Sequence, residues 1–180
     1  MSRSVLVEKG RINTQEWRKC LLGAAFVALC TQIAIPTKPV PFTLQTFAVL
    51  CLAAKYGPRL GTFSVLFYIV AGALGLPVFS RFGAGLPWLL APTGGYLLGF
   101  IPAVYFTARF LQLAPRKGFW SCFWAGLIGE SIIFLCGAGR LSAFVGFSQA
   151  YALGIAPFLL TDLLKLIAFA WVARQRTVVV

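Results

Sequence analysis

The strongest constraint on this chain is a series of six apolar stretches, each closed off by proline or glycine. They cover about residues 20–35, 42–56, 60–76, 92–113, 119–137 and 155–173. Pro36, Gly57-Pro58, Pro77, Pro92 and Pro115 stand at their edges, where proline can start or stop a helix without breaking one. A helix crossing a hydrocarbon core of about 30 Å needs roughly 20 apolar residues, and shorter stretches are completed by tilt or by their flanks. Composition rules out hiding these stretches inside a soluble fold. Of 180 residues, 59% are hydrophobic and 11% charged, against about 45–50% and about 25% in soluble domains. The sequence predicts an all-α integral membrane protein with six transmembrane helices over 20–175, behind a basic segment at 1–19. No short apolar run with a small-residue cleavage site appears, so the first stretch is expected to be a retained helix.

Charge then predicts orientation. The chain has 16 Lys plus Arg, 4 acids and no His, for a net charge of +12. With both termini cytoplasmic and six alternating spans, the inner segments collect Arg3, Lys9, Arg11, Arg18, Lys19, Lys55, Arg59, Arg109, Arg116, Lys117, Arg174 and Arg176. The outer segments collect Lys38, Arg81 and Arg140, and Lys165 falls within a span. That asymmetry is the positive-inside pattern, and an odd number of spans would spoil it. It accounts for the basic charge without nucleic acid as a partner, and it offers a surface to anionic membrane lipid.

Several chemistries are disfavoured. Without His, the usual general base and metal ligand are missing. The five cysteines, Cys20, Cys30, Cys51, Cys122 and Cys136, lie singly in or beside apolar stretches, as small hydrophobes do, and form no metal or redox motif. No Gly-Lys dipeptide exists, so the chain has no P-loop, and any ATP must be used by another chain. The expectation is no catalytic residue, no cofactor and no metal.

The outer segments are unusual. Residues 79–93 are punctuated by Gly and Pro yet remain apolar and aromatic, which predicts a lid or partial plug. Residues 141–153 are apolar but too short to span, which predicts an interfacial or re-entrant piece.

Polar residues inside the spans are few. Asp162 and Lys165 are three apart in the sixth span, hence on one helix face. Ionisable groups cost roughly 2.5–3.5 kcal/mol each on insertion scales and normally face protein or water. A bundle-locking ion pair is the alternative to a binding pair. Gln45 in the second span, Tyr96 in the fourth and Glu130 in the fifth are placed at similar depth in the outer half. With Arg81 and Trp88 from the lid, they outline a pocket open to the outside. Amide, carboxylate, phenol and ammonium groups suit a small molecule with both donors and acceptors, such as a cyclic urea on a partly apolar body. Separately, Gly23, Ala24, Ala25 and Ala28 form a small-residue face on the first span, suited either to internal packing or to a membrane partner.

Five motifs coincide in order and spacing. They are 39–47 (Pro-Val-Pro-Phe-Thr-Leu-Gln-Thr-Phe), 57–61 (Gly-Pro-Arg-Leu-Gly), 72–79 (Gly-Ala-Leu-Gly-Leu-Pro-Val-Phe), 92–100 (Pro-Thr-Gly-Gly-Tyr-Leu-Leu-Gly-Phe) and the end with Pro157-Phe158 and Asp162-Leu163-Leu164-Lys165. Together they resemble the BioY family, the biotin-specific S components of energy-coupling factor (ECF) transporters, over about residues 20–175. The resemblance implies a six-helix S-component bundle in the bacterial cytoplasmic membrane that binds biotin from outside. It also implies a transmembrane T component and two ATPases as partners. It maps the T-component contact to Ala24 and Ala28 and the biotin site to Asp162 and Lys165, with Gln45 and Tyr96 as lining residues. The run Ser80-Arg81-Phe82 with Leu86-Pro87-Trp88 departs from the Gly-rich pattern expected after Phe79. Glu130 is not implied by the resemblance. The rival expectations are an S component for another vitamin, and a structural or assembly subunit.

Overall fold

The computed structural model of the protein describes residues 13–35, 37, 39–114 and 118–175. The bases Arg3, Lys9, Arg11, Lys38, Arg116, Lys117 and Arg176, and most of the 1–19 segment, lie outside the described residues.

Helix α1 (Thr14–Gln32) begins six residues before the apolar run because Asn13 caps it. The Asn13 side chain accepts from Glu16 N at 2.9 Å, and the Glu16 carboxylate accepts from Asn13 N at 3.0 Å. This reciprocal pair satisfies two donors that every helix start leaves open. Beyond α1, β1 (Ala34–Ile35) pairs antiparallel with β2 (Phe42–Thr43), a two-residue ribbon within an otherwise helical protein.

Helix α2 (Gln45–Ala73) is continuous in hydrogen bonding but not in direction. At Gly57 the backbone reaches φ 71°, ψ −177°, and Pro58 follows. A positive φ costs a residue with a Cβ, so Gly stands there, and the fixed φ of Pro suits the first position of the next helix. The chain reverses at that point. Gln45 Nε2 donates to the Tyr68 hydroxyl at 2.8 Å, whereas 23 residues of straight helix would separate them by roughly 34 Å. α2 therefore supplies two antiparallel spans, 45–56 and 58–73, in agreement with the second and third apolar stretches.

The lid follows: a single turn at Ser80–Phe82, then α3 (Leu86–Leu90). α4 (Gly94–Leu113) and α5 (Phe119–Val145) descend and return. Gly146, at φ 81°, separates α5 from α6 (Phe147–Gly154). A turn at Ala156–Phe158 leads into α7 (Leu159–Gln175). The separate interfacial piece expected at 141–153 is thus divided: its first part extends α5, and only the remainder forms α6. Among the described residues, three stretches are long and apolar enough to cross a membrane unaided: Gly94–Leu113, Phe119–Val145 and Phe147–Gln175. α1 falls short because Glu16, Arg18 and Lys19 occupy its first turns, and the two spans of α2 are individually short.

Large apolar side chains on every long helix face outward, among them Leu22, Leu29, Val70, Phe106, Leu135, Leu164 and Trp171. A monomeric soluble protein does not leave such a belt in water, but a bilayer matches it. Inside, one core of Val27, Val49, Val65, Tyr68, Phe100 and Ile133 joins α1, α2, α4 and α5. A second, of Leu50, Leu111, Cys122, Leu166 and Phe169, joins α2, α4, α5 and α7. The result is a six-span, all-α membrane bundle. One end carries the ribbon, lid and α6. The other, the terminal end, carries the start of α1, the Gly57 reversal, the end of α4, the start of α5 and the end of α7. Arg18, Lys19, Lys55, Arg59, Arg109 and Arg174 lie toward the terminal end, and Arg81 and Arg140 toward the lid end.

Candidate ligand pocket

A cavity of about 70 Å³ lies under the lid. The ribbon side gives Val40, Pro41 and Thr43, and the lid gives Phe79, Ser80 and Trp88. α2 gives Gln45 and Thr46, α4 gives Tyr96, Leu97 and Phe100, and α5 gives Ile133 and Phe134. Thr93, Phe158, Asp162 and Lys165 complete the wall.

The charged floor belongs to α7. Asp162 lies in its first turn, where the helix dipole favours an anion, and Lys165 follows one turn later. The Lys165 Nζ lies 2.6 Å from Asp162 Oδ1, with the Lys165 side chain 15% exposed and that of Asp162 4%. Lys165 also donates to Thr46 Oγ1 at 3.4 Å, tying α7 to α2. An ammonium has three donors, so donor capacity remains beyond these two contacts.

The neutral groups are also held. Gln45 is the first residue of α2, and its amide donates to Tyr68, whose hydroxyl lies 3.4 Å from that of Thr31. Tyr96 donates to the Gly154 carbonyl at 2.8 Å, joining α4 to α6. Its ring lies flat on Gly137, where an added Cβ would enter the ring. Phe158 stacks on Phe42 with centroids 4.2 Å apart, and Phe79 lies between Tyr68 and Trp88. Two polar residues tie the lid down. Gln32 donates to Phe79 O at 3.1 Å and accepts from Phe82 N at 3.0 Å. Arg140 donates to Ala91 O at 3.0 Å and to Leu90 O.

Of the residues expected from sequence, Gln45, Trp88, Tyr96, Asp162 and Lys165 line this cavity. Arg81 does not. It occupies the left-handed middle of the Ser80–Phe82 turn, at φ 58°, which sends Ser80 inward and leaves Arg81 exposed. Glu130 does not line it either. α5 continues eight residues past the end of its apolar run, so Glu130 lies about four turns below the helix end rather than two. Ala24 and Ala28 are half-buried against the bundle's own core, and the more exposed residues of α1 are Leu21, Leu22, Ala25, Phe26 and Leu29. The hydroxyls of Thr43, Thr46, Ser80 and Thr93 were not foreseen, because Ser and Thr in spans usually bond their own helix. Gln32 and Arg140 carried no sequence signal beyond their polarity.

No group of His, Cys, Asp and Glu suited to a metal ion is found among the described residues. A cavity with aromatic walls, an ion pair as its floor and hydroxyls at its rim, inside a six-span bundle, defines a membrane subunit that captures a small polar-headed molecule. The comparisons place it more narrowly. The BioY family model matches residues 3–179, and the chain belongs to that family. It is 41% identical over 147 residues to the probable biotin transporter BioY of Pyrococcus horikoshii, covering 80% of this chain and 86% of that one. It is 39% identical over 159 residues to the biotin transporter BioY of Thermotoga maritima, covering 87% and 92%. In fold it matches the crystal structure of the S-component for biotin from an ECF-type ABC transporter. The TM-score there is 0.77 with 23% identity, over 92% of this chain and 94% of that one.

Proposed function

We propose that this chain is the substrate-binding membrane subunit for biotin uptake, taking the vitamin from outside and releasing it inward with partner subunits. The observation that carries the reading is the Asp162–Lys165 pair, at 2.6 Å, forming the floor of a cavity with aromatic walls. A ureido ring offers two N–H donors and one carbonyl acceptor, which complement a carboxylate and an ammonium. The aliphatic parts of biotin suit Phe79, Trp88, Phe100 and Phe158. Its valerate carboxylate lies toward the lid, where Ser80, Thr93 and backbone amides, and Arg81 once the lid moves, supply donors.

The partners follow from the same reading: a transmembrane T component, met by α1 around Ala24 and Ala28, and two ATPases that supply the energy. The chain contributes binding and no chemistry of its own. Both termini face the cytoplasm of a bacterial inner membrane, and the bases at that end meet anionic lipid.

A thermal-shift titration of the purified protein tests the function. Biotin raises the melting temperature in proportion to ln(1 + [L]/Kd), and other vitamins do not. Asp162→Asn and Lys165→Ala abolish the shift while the variants still melt cooperatively. Equal stabilisation of wild type and both variants by biotin would overturn the site assignment. No stabilisation by any vitamin would favour an assembly subunit.

A further inference from the structure

Gln45 opens a relay of hydrogen bonds that leaves the cavity wall and runs into the bundle. Its Nε2 lies 2.8 Å from the Tyr68 hydroxyl, in the second span of α2. That hydroxyl lies 3.4 Å from the Thr31 hydroxyl of α1, which donates to the Val27 carbonyl at 2.7 Å. Thr31 is 0% exposed and Tyr68 1%, so bulk water supplies neither with another partner. Neither residue lines the cavity.

The far end of the relay sets its direction. A backbone carbonyl only accepts, so the single Thr31 proton goes to Val27 O. Thr31 Oγ1 then offers Tyr68 only lone pairs, and the single Tyr68 proton points to it. The Tyr68 oxygen in turn faces Gln45 as an acceptor, which requires the NH2 end of the amide there. Partners of this kind are what tell the two ends of an amide apart. The Gln45 backbone N–H is taken by Thr43 Oγ1 at 3.4 Å. Its side-chain carbonyl is the group left over, and no donor among the described residues reaches it.

We propose that Thr31 and Tyr68 are positioning residues that hold the Gln45 amide with its carbonyl toward the cavity, where it selects a ligand that carries an N–H. This rests on the reading of the cavity as the ligand site, and it deepens that reading. A ureido ring has two N–H donors and one carbonyl. Asp162 meets one N–H, Lys165 meets the carbonyl, and Gln45 meets the second N–H. A reversed amide would set N–H against N–H and leave a buried donor unpaired, which is costly.

The test is a biotin titration by calorimetry on the purified full chain. It is run beside the two cyclic-carbamate analogues of biotin, each with one ureido N–H replaced by a ring oxygen. Thr31→Val removes the acceptor at the end of the relay, so the Tyr68 proton and then the Gln45 amide turn round. Biotin affinity falls about tenfold or more. The preference for biotin over one of the analogues also falls, because the turned amide now offers N–H to the ring oxygen. Thr31→Ser keeps the hydroxyl and holds both values within about threefold of wild type. In a Gln45→Ala background, Thr31→Val changes neither value further, since both substitutions act through one group. Should Thr31→Val fail to fold, Tyr68→Phe takes its place: it frees the amide, and weakens binding only where Gln45 is present. A Thr31→Ser as weak as Thr31→Val, an unchanged preference against both analogues, or an equal loss in the Gln45→Ala background overturns the proposal. If the wild type binds no biotin, the ligand reading falls separately. The relay is then read by NMR from the Gln45 side-chain NH2, whose protons shift on Tyr68→Phe and on Thr31→Val but not on Thr31→Ser. Protons that do not respond to Tyr68→Phe overturn the direction assigned to the amide.

Discussion

Tyr96 shows how single residues hold this pocket. Its hydroxyl spans from α4 to the last residue of α6, and its ring occupies space that only a glycine at 137 leaves open. Tyr96→Phe keeps the ring and loses the bond to Gly154, a net cost of about 1 kcal/mol. A modest fall in melting temperature in detergent is expected, with α6 becoming easier to cleave by protease. Gly137→Ala forces a methyl group into the ring, and overpacking of this kind costs about 1–3 kcal/mol. It should therefore destabilise the protein at least as much as Tyr96→Phe. The reverse order would show that the ring moves freely and that the hydroxyl alone matters. Tyr96 was legible in the sequence as a phenol within an apolar span. Its partner was not, because a backbone carbonyl carries no residue identity.

At the scale of elements, the turns decide more than the helices do. The Gly57 reversal converts one hydrogen-bonded run into two spans, and it brings Gln45 beside Tyr68. Gly57→Ala strains a left-handed position, which costs of order 1–3 kcal/mol. It should lower the melting temperature and weaken biotin binding through Gln45, whereas Asn13→Ala, about 1 kcal/mol at a distant cap, should lower stability alone. Thermal melts with and without biotin separate the two effects. The spans were readable because apolar runs and prolines mark them directly. Helix lengths were less so. The Asn13-x-x-Glu16 cap was present in the sequence but lay outside the apolar pattern. Gly139 and Arg140 resembled the start of a loop, although Arg140 points across to the lid and the helix continues beneath it. Asp162 and Lys165 were legible from spacing alone, while the depth of Glu130 depended on where α5 ends.

For the whole molecule, the basic terminal end predicts the orientation in the membrane. In a variant with its native cysteines replaced, Ser148→Cys in α6 should react with an impermeant maleimide on intact cells. Gln175→Cys should react only after the cells are opened. The opposite pattern would invert the proposed topology.

The two ties across the lid, at Gln32 and Arg140, have a kinetic consequence. The lid held by Gln32 and Arg140 narrows the way into the cavity, so entry depends on how often the lid moves. In stopped-flow mixing, the observed association rate should rise with biotin concentration and then level off at the opening rate. Gln32→Ala and Arg140→Ala should raise that plateau and shorten the residence time together. The protein would then hold its cargo tightly because the door seldom opens.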